Sequence, residues 1–182
     1  PFYRRSYDEF GRYPSAMAVI DAPRMRTVRV LATGPIAKVV HENYGIAEGL
    51  IEDYKPGAGR MTGARVAEIQ STQIRLGEAT AYARASRLVQ LANCREAQEK
   101  LPDAKTKARF RLEGAYAVDW AVRAVDVMFG LYGASGLYES GHVPRAFRDA
   151  HAVKQHFSFN TDIAGTTYGR VALGLASDNP TL

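Results

Sequence analysis

A helical hydrophobic period recurs along this chain. It begins with Ile36, Val39, Val40, Tyr44, Ala47, Leu50, Ile51 and Tyr54, which fall at three- and four-residue spacing and predict one apolar helix face. Pro56-Gly57 ends that helix, and Gly57 to Gly63 forms a loop that carries Arg60. A second helix is predicted from about Val66 to Glu99, with Ile74, Ala81, Ala85, Leu88 and Ala92 on one stripe. Its many alanines admit a neighbouring helix closely. Leu101-Pro102-Asp103 stops it, and Asp103 is placed to cap the next helix.

That third helix, about 104–133, has apolar residues on two sides. Ala115, Val118, Val122, Val125, Phe129 and Tyr132 form one stripe, and Ala117, Ala121, Ala124, Met128 and Leu131 a second. Asp119, Arg123 and Asp126 leave a narrow polar edge, spaced for ion pairs along the helix. Two apolar sides require two sets of partners, so another subunit is expected to cover one of them. Residues 133–141 are a Gly/Ser loop. His142-Val143-Pro144 then opens a shorter helix, and Asn160-Thr161-Asp162 starts another that runs through Leu173.

Residues 1–25 are aromatic and Arg-rich, are broken by Pro14 and Pro23, and lack a sustained period; they read as the exit from a preceding domain. Residues 26–176 form the predicted domain and 177–182 a tail. No β-alternation is expected after residue 25. The predicted fold is all-α, an antiparallel bundle of three long helices closed by two shorter ones.

Composition changes this picture little. An apolar fraction of 46% and a charged fraction of 24% in 182 residues are those of an ordinary globular domain. The formal charge of +5 is spread along the chain with acidic neighbours, as in Asp119 and Arg123, and no Lys/Arg run interleaves with aromatics. That argues against nucleic acid and for a surface suited to an anionic ligand. No apolar run approaches the ~20 residues of a membrane span. The single cysteine, Cys94, permits no internal disulfide, fits a reducing cytoplasm and reads as an inert thiol.

The chemistry concentrates in Arg148–Asn160, which holds two histidines, an Arg-Asp pair and a break in helical pattern. Continued as one helix, it places Arg145, Asp149, Ala152 and His156 on one face, and Arg148, His151 and Gln155 on another. A histidine at a helix exit can serve as general base or hydrogen-bond donor. On spacing alone the plainer reading is favoured, in which Arg148-Asp149 is a structural ion pair and both histidines are polar surface groups. His41 and His142 have no patterned partner. No zinc spacing, nucleophile elbow or phosphate-binding glycine loop is present, so no metal is expected.

Gly63-Ala-Arg-Val-Ala-Glu-Ile-Gln-Ser-Thr-Gln-Ile-Arg-Leu-Gly-Glu78 resembles the Gln-x-x-Gln-x-x-Leu-Ala-Glu/Asp stretch of acyl-CoA dehydrogenases. Arg148-Asp149-Ala150 resembles their C-terminal Arg-Asp-Ala, and Gly169-Arg170-Val-Ala-Leu-Gly174 their closing helix. The likeness covers roughly residues 24–174, the C-terminal helical domain of that superfamily. Dehydrogenases often follow Arg-Asp-Ala with a Tyr-Glu-Gly-Thr segment whose Glu removes a substrate proton. Here Gln155-His156-Phe157-Ser158-Phe159-Asn160 stands instead, and is similar to the flavin-dependent monooxygenase branch.

That resemblance implies several things. Such enzymes take reduced flavin, FMN or FAD, from a separate flavin reductase and use oxygen to hydroxylate an aromatic or other small organic substrate. It implies a catalytic role for His156 and, more weakly, for His151, and flavin-phosphate contacts for Arg26, expected to open the first long helix, and Arg60. It also implies a homo-oligomer, tetramer or dimer, and missing N-terminal helical and β-domains, so that this chain alone should not hold flavin tightly. An acyl-CoA dehydrogenase or oxidase is the enzymatic alternative. A non-catalytic helical oligomerisation module is the alternative of another class.

Overall fold

The computed structural model describes residues 17–21, 26–30, 45–57, 65–99, 102–138, 141–177 and 179. A hairpin comes first: β1 (Met17–Asp21) pairs antiparallel with β2 (Arg26–Val30), Met17 opposite Val30 and Asp21 opposite Arg26. Helix α1 (45–52) follows, then a 3-10 turn at Val66–Glu68 and the long helices α2 (Gln70–Glu99) and α3 (Ala104–Tyr132). The chain closes with α4 (His142–Lys154), a 3-10 turn at Phe157–Phe159 and α5 (Thr161–Ala172).

The all-α bundle stands, with the hairpin added to it. Val19, Ile20, Thr27, Val28 and Val30 supply the β-branched residues that suit a pleated ladder, in runs too short to stand out as a period. Strand β2 therefore corrects the expectation of no β-structure after residue 25. The second helix also starts later than expected, at Gln70 rather than Val66, because Ile69 is extended.

Helix α3 is the centre. Asp103 caps it as the sequence predicts, its carboxylate accepting from the Thr106 N–H at 2.7 Å. At the other end Gly133 takes φ +56°, a left-handed conformation that favours glycine, and the chain leaves the helix. Ala115, Val118, Val122 and Val125 of one stripe and Ala117, Ala121, Ala124 and Met128 of the other are all buried inside a single chain. The expectation that a second subunit must cover one stripe is thus corrected: α2, α4 and α5 all pack on α3.

Helix α2 uses a face other than the predicted one. Thr72, Ala79, Ala83, Ser86, Gln90 and Cys94 are buried, whereas Ile74 and Leu88 are 61% and 53% exposed. Small side chains let α2 approach the alanine-rich α3, and the Ser86 hydroxyl donates to the Ala117 carbonyl at 2.7 Å, so its burial is compensated. Cys94 lies on this packed face, and burial pushes its thiol up to about 11, which disfavours the reactive thiolate.

Helix α1 buries Ala47 and Leu50 and ends before Pro56-Gly57. The Tyr132 hydroxyl donates to the Leu50 carbonyl at 3.0 Å, and Tyr54 meets Tyr132 edge-on at 5.2 Å. The earlier part of the predicted first helix, with His41, lies outside the described residues.

Helix α4 is tied to α3 by charge. Lys154 donates to Asp119, which also accepts from Arg123 at 2.8 Å, the predicted i,i+4 pair. Burial alone would raise the Asp119 carboxyl, but the hydrogen bonds and charges of Lys154 and Arg123 outweigh it and hold it below the ordinary aspartate value. A depressed folded-state pKa adds stability above the unfolded value, which is lost as pH falls through the folded one. Thermal melts below pH ~4 should therefore fall more steeply for the native chain than for Asp119→Asn. At neutral pH the substitution should cost about 1–3 kcal/mol. Parallel melting curves for the two proteins across the acid range would contradict this.

Candidate active site

The break between α4 and α5 is built by local capping. Helix α4 opens at His142 with Pro144 in its first turn, where a missing N–H costs nothing. His151 and Lys154 fall in its last turn, which suits cations near a helix C-terminus. Gln155 is the C-cap, and His156 is already extended (φ −66°, ψ 132°). Asn160 then caps α5, its side-chain oxygen accepting from the N–H groups of Asp162 and Ile163 at 3.0 Å. Because α4 ends at Lys154, His156 does not continue the face of Arg145 and Asp149 as the sequence suggested.

His156 stands alone in this break. Its Nδ1 accepts from the Ser158 N–H at 3.3 Å, closing the 3-10 turn. A neutral imidazole whose Nδ1 accepts must carry its proton on Nε2. Of the two roles read from sequence, the resting arrangement therefore supports the hydrogen-bond donor. The ring sits 5.0 Å from Phe157 and 5.8 Å from Phe159. Phe159 is buried and anchors the turn, whereas Phe157 is 61% exposed and flanks the imidazole with an open aromatic face.

His151 is occupied differently. Its Nε2 lies 2.7 Å from an Asp126 carboxylate oxygen, and its ring stacks at 4.4 Å on Phe147, which in turn meets Phe129 at 4.5 Å. This is a clamp of α4 on α3. The Arg148-Asp149 ion pair is corrected, since Asp149 pairs with Arg145 one helical turn away at 3.5 Å. Neighbouring helical residues point about 100° apart and do not face each other.

Arg26 belongs to β2 rather than to a helix start, and Arg60 lies outside the described residues. Beside the Phe157 turn is a crevice of about 10 Å³ that includes Arg111, Ser158, Ile163 and Asn179, close to the least that holds one water. That crevice is far too small to take a flavin. Among them no cluster of His, Cys, Asp and Glu is arranged to hold a metal, and no helix is long and apolar enough to cross a membrane.

Sequence reasoning missed Asp126 as the partner of His151, and Phe157 and Phe159 as the walls of His156. The ring contacts of His156 are local, and an aromatic on each side of Ser158 was the available signal. The Asp126 contact spans 25 residues and carries no local signal.

A family model described as acyl-CoA dehydrogenase, C-terminal domain, matches residues 39–161. The chain is 33% identical over 163 residues to the oxygenase component of FADH(2)-dependent resorcinol hydroxylase from Rhizobium sp. (strain MTP-10005), covering 80% of this chain and 40% of that protein. It is 29% identical over 147 residues to the oxygenase component of p-hydroxyphenylacetate 3-hydroxylase from Acinetobacter baumannii, covering 76% and 35%. Among solved structures, XiaF from Streptomyces sp. in complex with FADH2 and glycerol superposes with a TM-score of 0.70 at 19% identity, over 81% of this chain and 39% of that one. The last shows likeness of fold. The chain spans about two fifths or less of the length of these curated relatives.

Proposed function

The chain belongs to the acyl-CoA dehydrogenase C-terminal domain family, and on that footing we propose that it is the C-terminal helical part of a reduced-flavin-dependent monooxygenase. The whole enzyme hydroxylates an aromatic or other small organic substrate with O2. The observation that carries this reading is the α4–α5 break, where Gln155–Asn160 offers an imidazole and no carboxylate. A dehydrogenase that removes a substrate proton from this segment needs a carboxylate there. A hydroxylase is served by a donor to a substrate hydroxyl, and His156 Nε2 is that donor.

The same reading assigns reduced flavin as cofactor, with FAD favoured over FMN by the names of the relatives, and a separate reductase as its source. His151 acts by holding α4 in place rather than in the chemistry. Arg26 and Arg60 meet the flavin phosphate only in the whole enzyme. Residues 1–25 lead out of an upstream domain, residues 177–182 are a tail, the protein is cytoplasmic, and the enzyme is a homo-oligomer.

The test has two arms. A longer protein carrying the upstream domains, given a flavin reductase, NADH and phenolic substrates, should release hydroxylated product with oxygen consumed. Flavin reduction by acyl-CoA thioesters without hydroxylation would overturn the reading. In the second arm, fluorescence titration of the 182-residue chain with reduced flavin should show weak binding or none. Tight stoichiometric binding would place the pocket within this chain.

A further inference from the structure

Beyond α5 the chain turns back on its own helix. Gly174 takes φ +75°, its N–H donates to the Val171 carbonyl at 3.1 Å, and the Leu175 N–H donates to the Arg170 carbonyl at 2.8 Å. This is the Schellman closure of a helix end, which reverses the direction of the chain. The Arg170 Nε–H then donates to the Ala176 carbonyl at 2.9 Å, and the Asn179 N–H to the Ser177 hydroxyl oxygen at 3.1 Å. Finally the Asn179 side-chain amide donates to the Thr167 hydroxyl oxygen at 3.3 Å. Thr167 is buried, so the returning segment is pinned at the packed face of α5.

That face leads to the His156 turn. Ala164 is also buried and lies three residues before Thr167, on the same side of the helix. Asn179 and Ala164 line the crevice of about 10 Å³ together with Phe157, Ser158 and Asn160. Ser158 is the residue whose N–H holds His156 Nδ1, and at 3.3 Å that bond is long. A water admitted beside Ser158 would compete for the same N–H.

We propose that Asn179 is a positioning residue for His156, an inference that rests on the monooxygenase reading above. Pinned to Thr167, its side chain closes the crevice beside Ser158 to about the space of one water. The Ser158 N–H then stays on Nδ1, and the Nε2 proton of the imidazole keeps one direction. Asn179 acts through Ser158 and the turn, not on a reacting atom.

Two variants test this without disturbing the core. Asn179→Ala opens the crevice, and Thr167→Val removes the pin at nearly constant volume. In the 182-residue chain, hydrogen exchange of the Ser158 amide, followed by NMR, should quicken by roughly tenfold or more in either variant, with exchange in α3 unchanged. The double variant should do no more than the single ones, because both break one contact. In the longer enzyme, each should lower product per flavin oxidised by roughly tenfold with KM for the phenol unchanged, since a misdirected donor costs less than a missing one. Added to His156→Ala, neither should lower it further. Unchanged Ser158 exchange would overturn the proposal, and so would native product yield in both variants when His156→Ala is damaging. A harmless His156→Ala would instead overturn the reading of His156 as donor, and this inference with it.

Discussion

Replacing His156 by alanine in the full-length enzyme should lower product formation by about a hundredfold or more, the scale of a lost hydrogen-bond donor to the reacting group. The ring is exposed and closes a three-residue turn through a single long hydrogen bond of 3.3 Å, so fold and flavin binding should persist. His156→Asn separates the two roles of the residue. Its side-chain oxygen can still accept from the Ser158 N–H, but it places no N–H at the Nε2 position. It should therefore be as inactive as the alanine variant while melting close to the native temperature. His151→Ala should show the opposite pattern, with a lower melting temperature from the lost Asp126 and Phe147 contacts and much of the turnover retained. Product yield per flavin oxidised and thermal melts would decide it. Equal, small losses of activity for both histidines would show that neither belongs to the chemistry.

Ala121→Glu or Ala124→Glu should abolish folding. Both positions are fully buried within one chain, so the new carboxylate has neither room nor partner. A buried, unpaired charge costs several kcal/mol, and overpacking adds about 1–3 kcal/mol, against a total stability of about 5–15 kcal/mol for a domain. The expected result is insoluble or unfolded protein by circular dichroism, even in conditions that keep the native chain monomeric. Leu88→Asp, on the outward face of α2, provides the contrast and should leave helicity intact. A folded Ala121→Glu protein with a near-native melting temperature would mean that α3 is not enclosed on both sides by its own chain.

The sequence by itself determined the features whose causes are local. The Asp103 cap, the span of α3, the Asp119–Arg123 pair, the opening of α4 at His142 and the restart at Asn160 each depend on residues within about one helical turn. The short motifs around Gln70–Glu78 and Arg148–Ala150 likewise pointed to the family that residues 39–161 match. Tertiary structure decided everything that depended on which surfaces meet. Hydropathy chose Ile74 and Leu88 as the packed stripe of α2, yet close approach to the alanines of α3 favoured Ala79, Ala83 and Ser86, with a buried hydroxyl satisfied by a carbonyl. Two apolar sides on α3 required two partners, but only the fold shows that α2, α4 and α5 supply them. The two histidines, alike in a string of letters, separate because Asp126 reaches His151 from another helix while His156 lies past the last turn of α4. Periodicity records what each helix can bury; the steric and hydrogen-bonding fit between helices fixes what it does bury.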